Sequence, residues 1–157
     1  MRISFDLDDT LICYQAGVPQ EPRLSWFVRL FVNDEPLRMG TSELIRQLRQ
    51  RGWEVWVYTT SNRSPAAVRR WFRCHGVRID GMVNQDVHDL HLRRSPLDRP
   101  PSKNPAAFDI DLHVDDSDGV RMEGEQHGFE VVVVTPDDRD WITHVLRAAD
   151  ELEGREV

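Results

Sequence analysis

The chain is expected to fold as an α/β protein, a doubly wound, mainly parallel five-stranded sheet with helices on both faces. Three observations predict this. Five short apolar runs alternate with segments of helical periodicity. The run from Trp53 to Tyr58 is continuously apolar except for Glu54, as a strand of a parallel sheet covered on both faces should be. Three of them end abruptly in acids or hydroxyls, and ligands of such sheets gather at the carboxyl ends of the strands. A length of 157 residues suits one domain, 1–157, with a real core.

The first strand is read from Ile3 and Phe5, with Leu7 continuing the apolar pattern and Asp6 and Asp8 set at its end. An Asp half desolvated at a core strand's end, with a second acid two residues on, is costly through burial and like-charge repulsion. A hard divalent cation such as Mg²⁺, which takes carboxylate and phosphate oxygens, would offset that cost. The same pair suits phosphoryl chemistry, with one Asp as covalent nucleophile and its neighbour carrying protons. The plain alternative is a polar turn made by Asp8, Asp9 and Thr10.

Residues 12–40 read as an irregular flap interrupted by Pro19, Pro22 and Pro36. Within it Trp26, Phe27, Leu30 and Phe31 recur at helical spacing; core packing is the favoured reading, with a subunit contact or a wall over the active site as the sharper one. A helix is expected from about Thr41 to Arg51, with Leu44, Ile45 and Leu48 as its apolar stripe, Thr41 or Ser42 as N-cap and Gly52 as its stop. Trp53 to Tyr58 forms the second strand and delivers Thr59, Thr60, Ser61 and Asn62 at its end. The next helix is opened by Ser64 and Pro65 and buries Val68, Trp71, Phe72 and His75. The Thr59 hydroxyl and the N–H groups at that helix start could hold a phosphate oxygen, or serve capping alone.

A short third strand is placed at Met82 to Asn84 and an irregular loop at 85–105, carrying His88, His91, Arg93, Arg94 and Pro96. Those histidines with Cys74 and His75 match no closed zinc pattern. Lys103 stands out as the only lysine beside 19 arginines, a compact ammonium suited to a carboxylate and phosphate cluster. The fourth strand, Ile110 to Val114, ends in Asp115 and Asp116. A weak helix opened by Ser117 and Gly119 runs to His127, Glu130 to Val134 forms the fifth strand, and Pro136 and Asp137 start a last helix with Trp141, Ile142, Val145, Leu146, Ala149 and Leu152 inward. The tail, 153–157, is expected to fray.

A formal charge of −7 argues against general nucleic-acid binding. Arg63 to Lys103 nevertheless holds nine basic residues and four acids, a local surplus that would draw an anionic substrate. Two unpatterned cysteines, the absence of an apolar leader and the absence of a membrane-length apolar run lead to the expectation of a cytoplasmic protein.

FDLDDTL, then VYTTS, then Lys103, then HVDDS, in this order, resembles the haloacid dehalogenase-like hydrolase superfamily. The resemblance covers residues 1 to about 135. It implies a Rossmann-like three-layer fold with strand order 5-4-1-2-3, and a catalytic set of Asp6 as nucleophile, Asp8 as general acid and base, Thr59 and Lys103. Thr10 would support the loop holding Asp8. Thr59, Thr60, Ser61, Asn62 and Lys103 would bind substrate, with Thr60 able to replace Thr59 and Arg93 or Arg94 able to replace Lys103. Asp6, Asp8 through its carbonyl, Asp115 and Asp116 would bind Mg²⁺. An acid at position 8 favours phosphoryl transfer over dehalogenation. The implied activity is a Mg²⁺-dependent phosphatase acting on a phosphomonoester through an aspartyl-phosphate. A phosphotransferase or mutase, or an idle module binding a phosphorylated ligand, are the alternatives. Neither spacing between motifs can hold a sizeable cap domain, which implies a large substrate, protein or nucleotide-containing, or a second subunit as lid.

Overall fold

The computed structural model describes residues 1–94 and 97–155; Pro96 and the tail residues 156 and 157 lie outside the described residues. Five parallel strands form one sheet: β1 (Arg2–Phe5), β2 (Glu54–Tyr58), β3 (Gly81–Val83), β4 (Leu112–Asp115) and β5 (Glu130–Val133). They lie in the order β3-β2-β1-β4-β5, the expected order read from the other edge. The helices are α1 (Thr41–Gln50), α2 (Pro65–Cys74), α3 (Gln85–Arg94), α4 (Asp118–His127) and α5 (Trp141–Glu153), with 3₁₀ turns at Val28–Leu30 and Pro105–Phe108. The chain builds outward from β1 through β2 to β3, then returns to the other side of β1 for β4 and β5. The order therefore switches direction between β1 and β4, and sheets of this kind have their ligand crevice beyond the carboxyl ends of the strands at such a switch.

Register fixes what meets in that crevice. Phe5 pairs with Val57 on one side and Val114 on the other, and Asp6 N–H donates to Val114 O at 2.9 Å. Asp6 therefore stands level with Tyr58 and Asp115, with Thr59 one residue further on. Below, Ile3, Phe5, Val55, Val57, Leu112 and Val114 are fully or almost fully buried beneath Leu44, Ile45 and Leu48 of α1, Val68, Trp71 and Phe72 of α2 and Trp141, Val145 and Ala149 of α5. These six alternate along their strands and share one face, while the other face is covered as well, with Ser4, Tyr58 and His113 fully buried.

Several expectations are corrected. The N-terminus of α1 is capped by neither Thr41 nor Ser42. Glu21 accepts from Gly40 N–H and Ser42 N–H at 3.1 and 3.2 Å, while Thr41 turns back to donate to Arg38 O. Gly40 is required there, because φ is +87° and a Cβ would meet Ile142 Cδ1 at 2.3 Å. Residues 85–94 form α3 instead of loop. Asn84 caps it by accepting from Val87 N–H at 3.1 Å, and it escapes the periodicity reading because His88 is its one buried residue. The final helix begins at Trp141, since Pro136 to Asp140 form a turn. Its end is anchored where fraying was expected, through Trp53 Nε1–H donating to Glu153.

The cluster in the flap is the largest departure. Trp26, Phe27, Leu30 and Phe31 are 74, 58, 68 and 65 % exposed, with the aromatic rings stacked edge to face on one another and not in the core. The flap is secured elsewhere by buried Arg38, whose guanidinium donates to the carbonyls of Thr10, Thr135 and Asp138 and lies over the Trp141 ring. No helix of the described residues is long and apolar enough to cross a membrane.

Candidate active site

Asp6 emerges from the end of β1 with 7 % of its surface exposed. Burial pushes its carboxyl up to about 6; Lys103 opposes that shift and Asp115 reinforces it. Lys103, 4 % exposed, lies between the two acids, its Nζ 3.0 Å from Asp6 Oδ1 and 2.5 Å from Asp115 Oδ2. Burial alone would lower the ammonium pKa, but the two carboxylates outweigh it and hold the pKa above the ordinary lysine range.

The segment bearing Lys103 is clamped on both sides. Ser102 donates from its N–H and hydroxyl to Glu123 at 3.0 and 2.6 Å, and Asn104 N–H donates to the Tyr58 hydroxyl at 2.8 Å. Tyr58 Oη in turn lies 2.6 Å from His88 Nδ1 of α3. Arg93 and Arg94, offered by the sequence as substitutes for Lys103, are exposed at the end of α3, with no ion pair to either acid.

Asp115 is held well below the usual carboxylate range. Burial works against this, but contact with His113 and the Lys103 charge prevail. His113 Nε2 lies 3.0 Å from Asp115 Oδ2 and its Nδ1 lies 2.7 Å from Ser4 Oγ, while Asp115 Oδ1 accepts from Ser117 N–H at 3.0 Å. Burial and the neighbouring Asp115 charge raise the Asp116 pKa. Carboxylate oxygens of Asp6, Asp115 and Asp116 lie within 4.8 Å of one another, the only such cluster among the described residues. The zinc grouping does not form: His88 is given to Tyr58, His91 packs on the Phe108 ring and Cys74 is exposed.

The donor set fits a hard divalent cation. All its ligand atoms are carboxylate oxygens, and Asp6 Oδ1 is a buried acceptor without a hydrogen bond, since Lys103 Nζ reaches it off the hydrogen-bonding direction.

Thr59 is 1 % exposed, and its Oγ1 accepts from Ser61 N–H at 3.2 Å; Thr60 and Asn62 are exposed. Thr10 is fully buried, while Asp9 takes a left-handed turn at φ +57°. Asp8 stands apart from the carboxylate cluster, its side chain 47 % exposed and both oxygens bound by Arg63. Arg63, Glu35, His113 and the Tyr58–His88 pair escape sequence reasoning. One arginine among 19 carries no signal; His113, two residues before Asp115 on the same strand face, did carry one.

Neither any protein-family model nor any curated protein matches the chain. Solved structures do match. The structure of a Pnkp1/Rnl/Hen1 complex aligns at TM-score 0.54 and 14 % identity, covering 84 % of this chain and 45 % of that one, so this chain spans less than half of that relative's length. A D,D-heptose 1,7-bisphosphate phosphatase from B. bronchiseptica, complexed with magnesium and phosphate, aligns at 0.52 and 16 %, covering 90 and 85 %. A predicted HAD-like family hydrolase from Porphyromonas gingivalis aligns at 0.52 and 12 %, covering 94 and 97 %. With the sheet order and the strand-end acids already described, the chain has the fold of the haloacid dehalogenase-like hydrolases.

Proposed function

We propose that the protein is a Mg²⁺-dependent phosphatase that hydrolyses a phosphomonoester through an aspartyl-phosphate on Asp6. The observation that carries this reading is the convergence, from the ends of β1 and β4 and from the clamped loop before β4, of a buried carboxylate, a buried ammonium and two further acids. Two solved structures of this fold support it, one named a phosphatase and complexed with magnesium and phosphate, the other a predicted hydrolase.

Asp6, Asp115 and Asp116 would hold Mg²⁺, together with the Asp8 carbonyl. When bound, the ion supplies charge neutralisation for the phosphoryl oxygens and a fixed template for in-line displacement. The chain does the rest. An Asp6 carboxylate oxygen attacks phosphorus and the ester P–O bond breaks, while Asp8 gives its proton to the departing oxygen. Asp8 then takes a proton from water, whose oxygen attacks phosphorus, releasing phosphate and restoring Asp6. Lys103 and the Thr59 hydroxyl hold the transferring group, so most of the acceleration comes from position and charge. Asp8, Thr60 and Asn62 are exposed at the rim, which suits a phosphate presented on a large molecule.

The test is phosphate release from an aryl phosphate with Mg²⁺ and then with EDTA. Turnover that stops with EDTA and returns with Mg²⁺ is expected. Turnover indifferent to EDTA contradicts the reading.

A further inference from the structure

Two faces of one guanidinium are committed at the mouth of the site. Arg63 Nη1 and Nη2 donate to Asp8 Oδ2 and Oδ1 at 2.7 and 2.8 Å, and Nε and Nη2 donate to Glu35 at 3.0 and 2.8 Å. Glu35 also accepts from the Tyr14 hydroxyl. Arg63 follows directly on the Thr59 to Asn62 turn, and its carbonyl accepts from Asn84 Nδ2 at 3.4 Å. The loop after β1, the flap and the β2–α2 turn therefore meet at this one side chain.

We propose that Arg63 is the positioning residue that aims Asp8 for proton transfer, and that Glu35 and Tyr14 of the flap hold Arg63 in place. The inference rests on the phosphatase reading above. A carboxylate that is 47 % exposed and otherwise unheld would sample several rotamers. A bidentate fork fixes both its direction and its plane, as the point charge of a lysine would not. The fork uses one acceptor site on each oxygen and leaves the others for the leaving oxygen and for water. Glu35 occupies the second fork, so the guanidinium is held from behind while it orients Asp8. The same double pairing leaves Arg63 ill suited to grip a phosphate, which separates positioning from substrate binding.

The effect should depend on how much the leaving group needs a proton. p-Nitrophenolate departs readily without one, whereas ethoxide does not. With the Mg²⁺-loaded full chain, Arg63→Ala should lower kcat on ethyl phosphate by about 100-fold. The first-turnover release of p-nitrophenol should fall by less than about 10-fold, with the substrate concentration that half-saturates that first turnover changed by no more than about twofold. Phosphoryl-Asp6 should accumulate in the variant, because Asp8 is also needed to activate water. Free guanidinium should restore part of the lost rate, Arg63→Lys should restore little, and Glu35→Gln should show the same pattern more weakly.

Equal losses on both substrates, weaker half-saturation of the first turnover with no change in its rate, or unchanged kcat in Arg63→Ala would overturn the proposal while leaving the phosphatase reading intact. A wild-type protein that releases no phosphate and gains no label overturns both.

Discussion

Lys103 balances the charge of the site. Among the described residues it is the one lysine or arginine in contact with Asp6 and Asp115, and all three are buried. Removing one member of a buried ion network leaves uncompensated charge, typically at a cost of about 3–5 kcal/mol. Lys103→Met should therefore lower the melting midpoint and abolish turnover, and added Mg²⁺ should raise the midpoint more in the variant than in the wild type. Calorimetry with and without Mg²⁺ checks this; an unchanged midpoint would mean that the ammonium is not the balancing charge. At this scale much of the candidate site was legible. Asp6, Asp115 and Asp116 announced themselves as acids where apolar strands stop, and Lys103 as a lysine in a chain that otherwise uses arginine. Arg63 was not legible for the converse reason. Its partners, Asp8 and Glu35, are separated from it by 55 and 28 positions, and no local pattern encodes that meeting.

At the scale of elements, what was legible depended on whether an element buries a stripe. α1, α2 and α5 do, and their apolar spacing located them. α3 does not, so a sequence without a stripe read as loop. In the flap, spacing alone produced the opposite error, because Trp26, Phe27, Leu30 and Phe31 keep helical spacing at the surface. Since exposed substitutions usually change stability by no more than about 0.5 kcal/mol, Trp26→Ser with Phe27→Ser should leave the denaturation midpoint nearly unchanged. A loss of several kcal/mol would restore the core reading. Two histidines held by these elements make a further prediction. Burial lowers the pKa of His75, at the end of α2, and of His88, within α3. Each is depressed below its unfolded value, so the unfolded chain binds more protons near pH 6. Their contribution is fully present above the ordinary histidine value and is lost as pH falls through the folded value. From pH 7 to pH 5 these two histidines should pull the melting midpoint down while Asp6, whose carboxyl is pushed up to about 6, pulls it the other way, so the share of His88 is read as the difference from His88→Gln, which should lose less midpoint over that interval than the wild type. An identical slope in the variant would remove His88 from the account.

The whole molecule gathers these parts by topology. β1 lies at the centre of the sheet, with β2 carrying Thr59 on one side and β4 carrying Asp115 on the other. Residues 6, 59, 103 and 115 are distant in sequence, yet parallel register sets three of them at one edge and the clamp from Tyr58 and Glu123 brings in the fourth. The alternation of strand and helix made that architecture legible before any side chain was placed, whereas the contacts between flap and turn needed the folded chain. On the proposed mechanism Asp6 becomes phosphorylated. The most direct measurement is peptide mass spectrometry of the Asp8→Asn variant, quenched after incubation with Mg²⁺ and an aryl phosphate, since slow hydrolysis there should preserve the intermediate. One phosphoryl group on Asp6, absent when Asp6→Asn is added, is the expected result; phosphate turnover that persists in Asp6→Asn, or a label on any other residue, would contradict it.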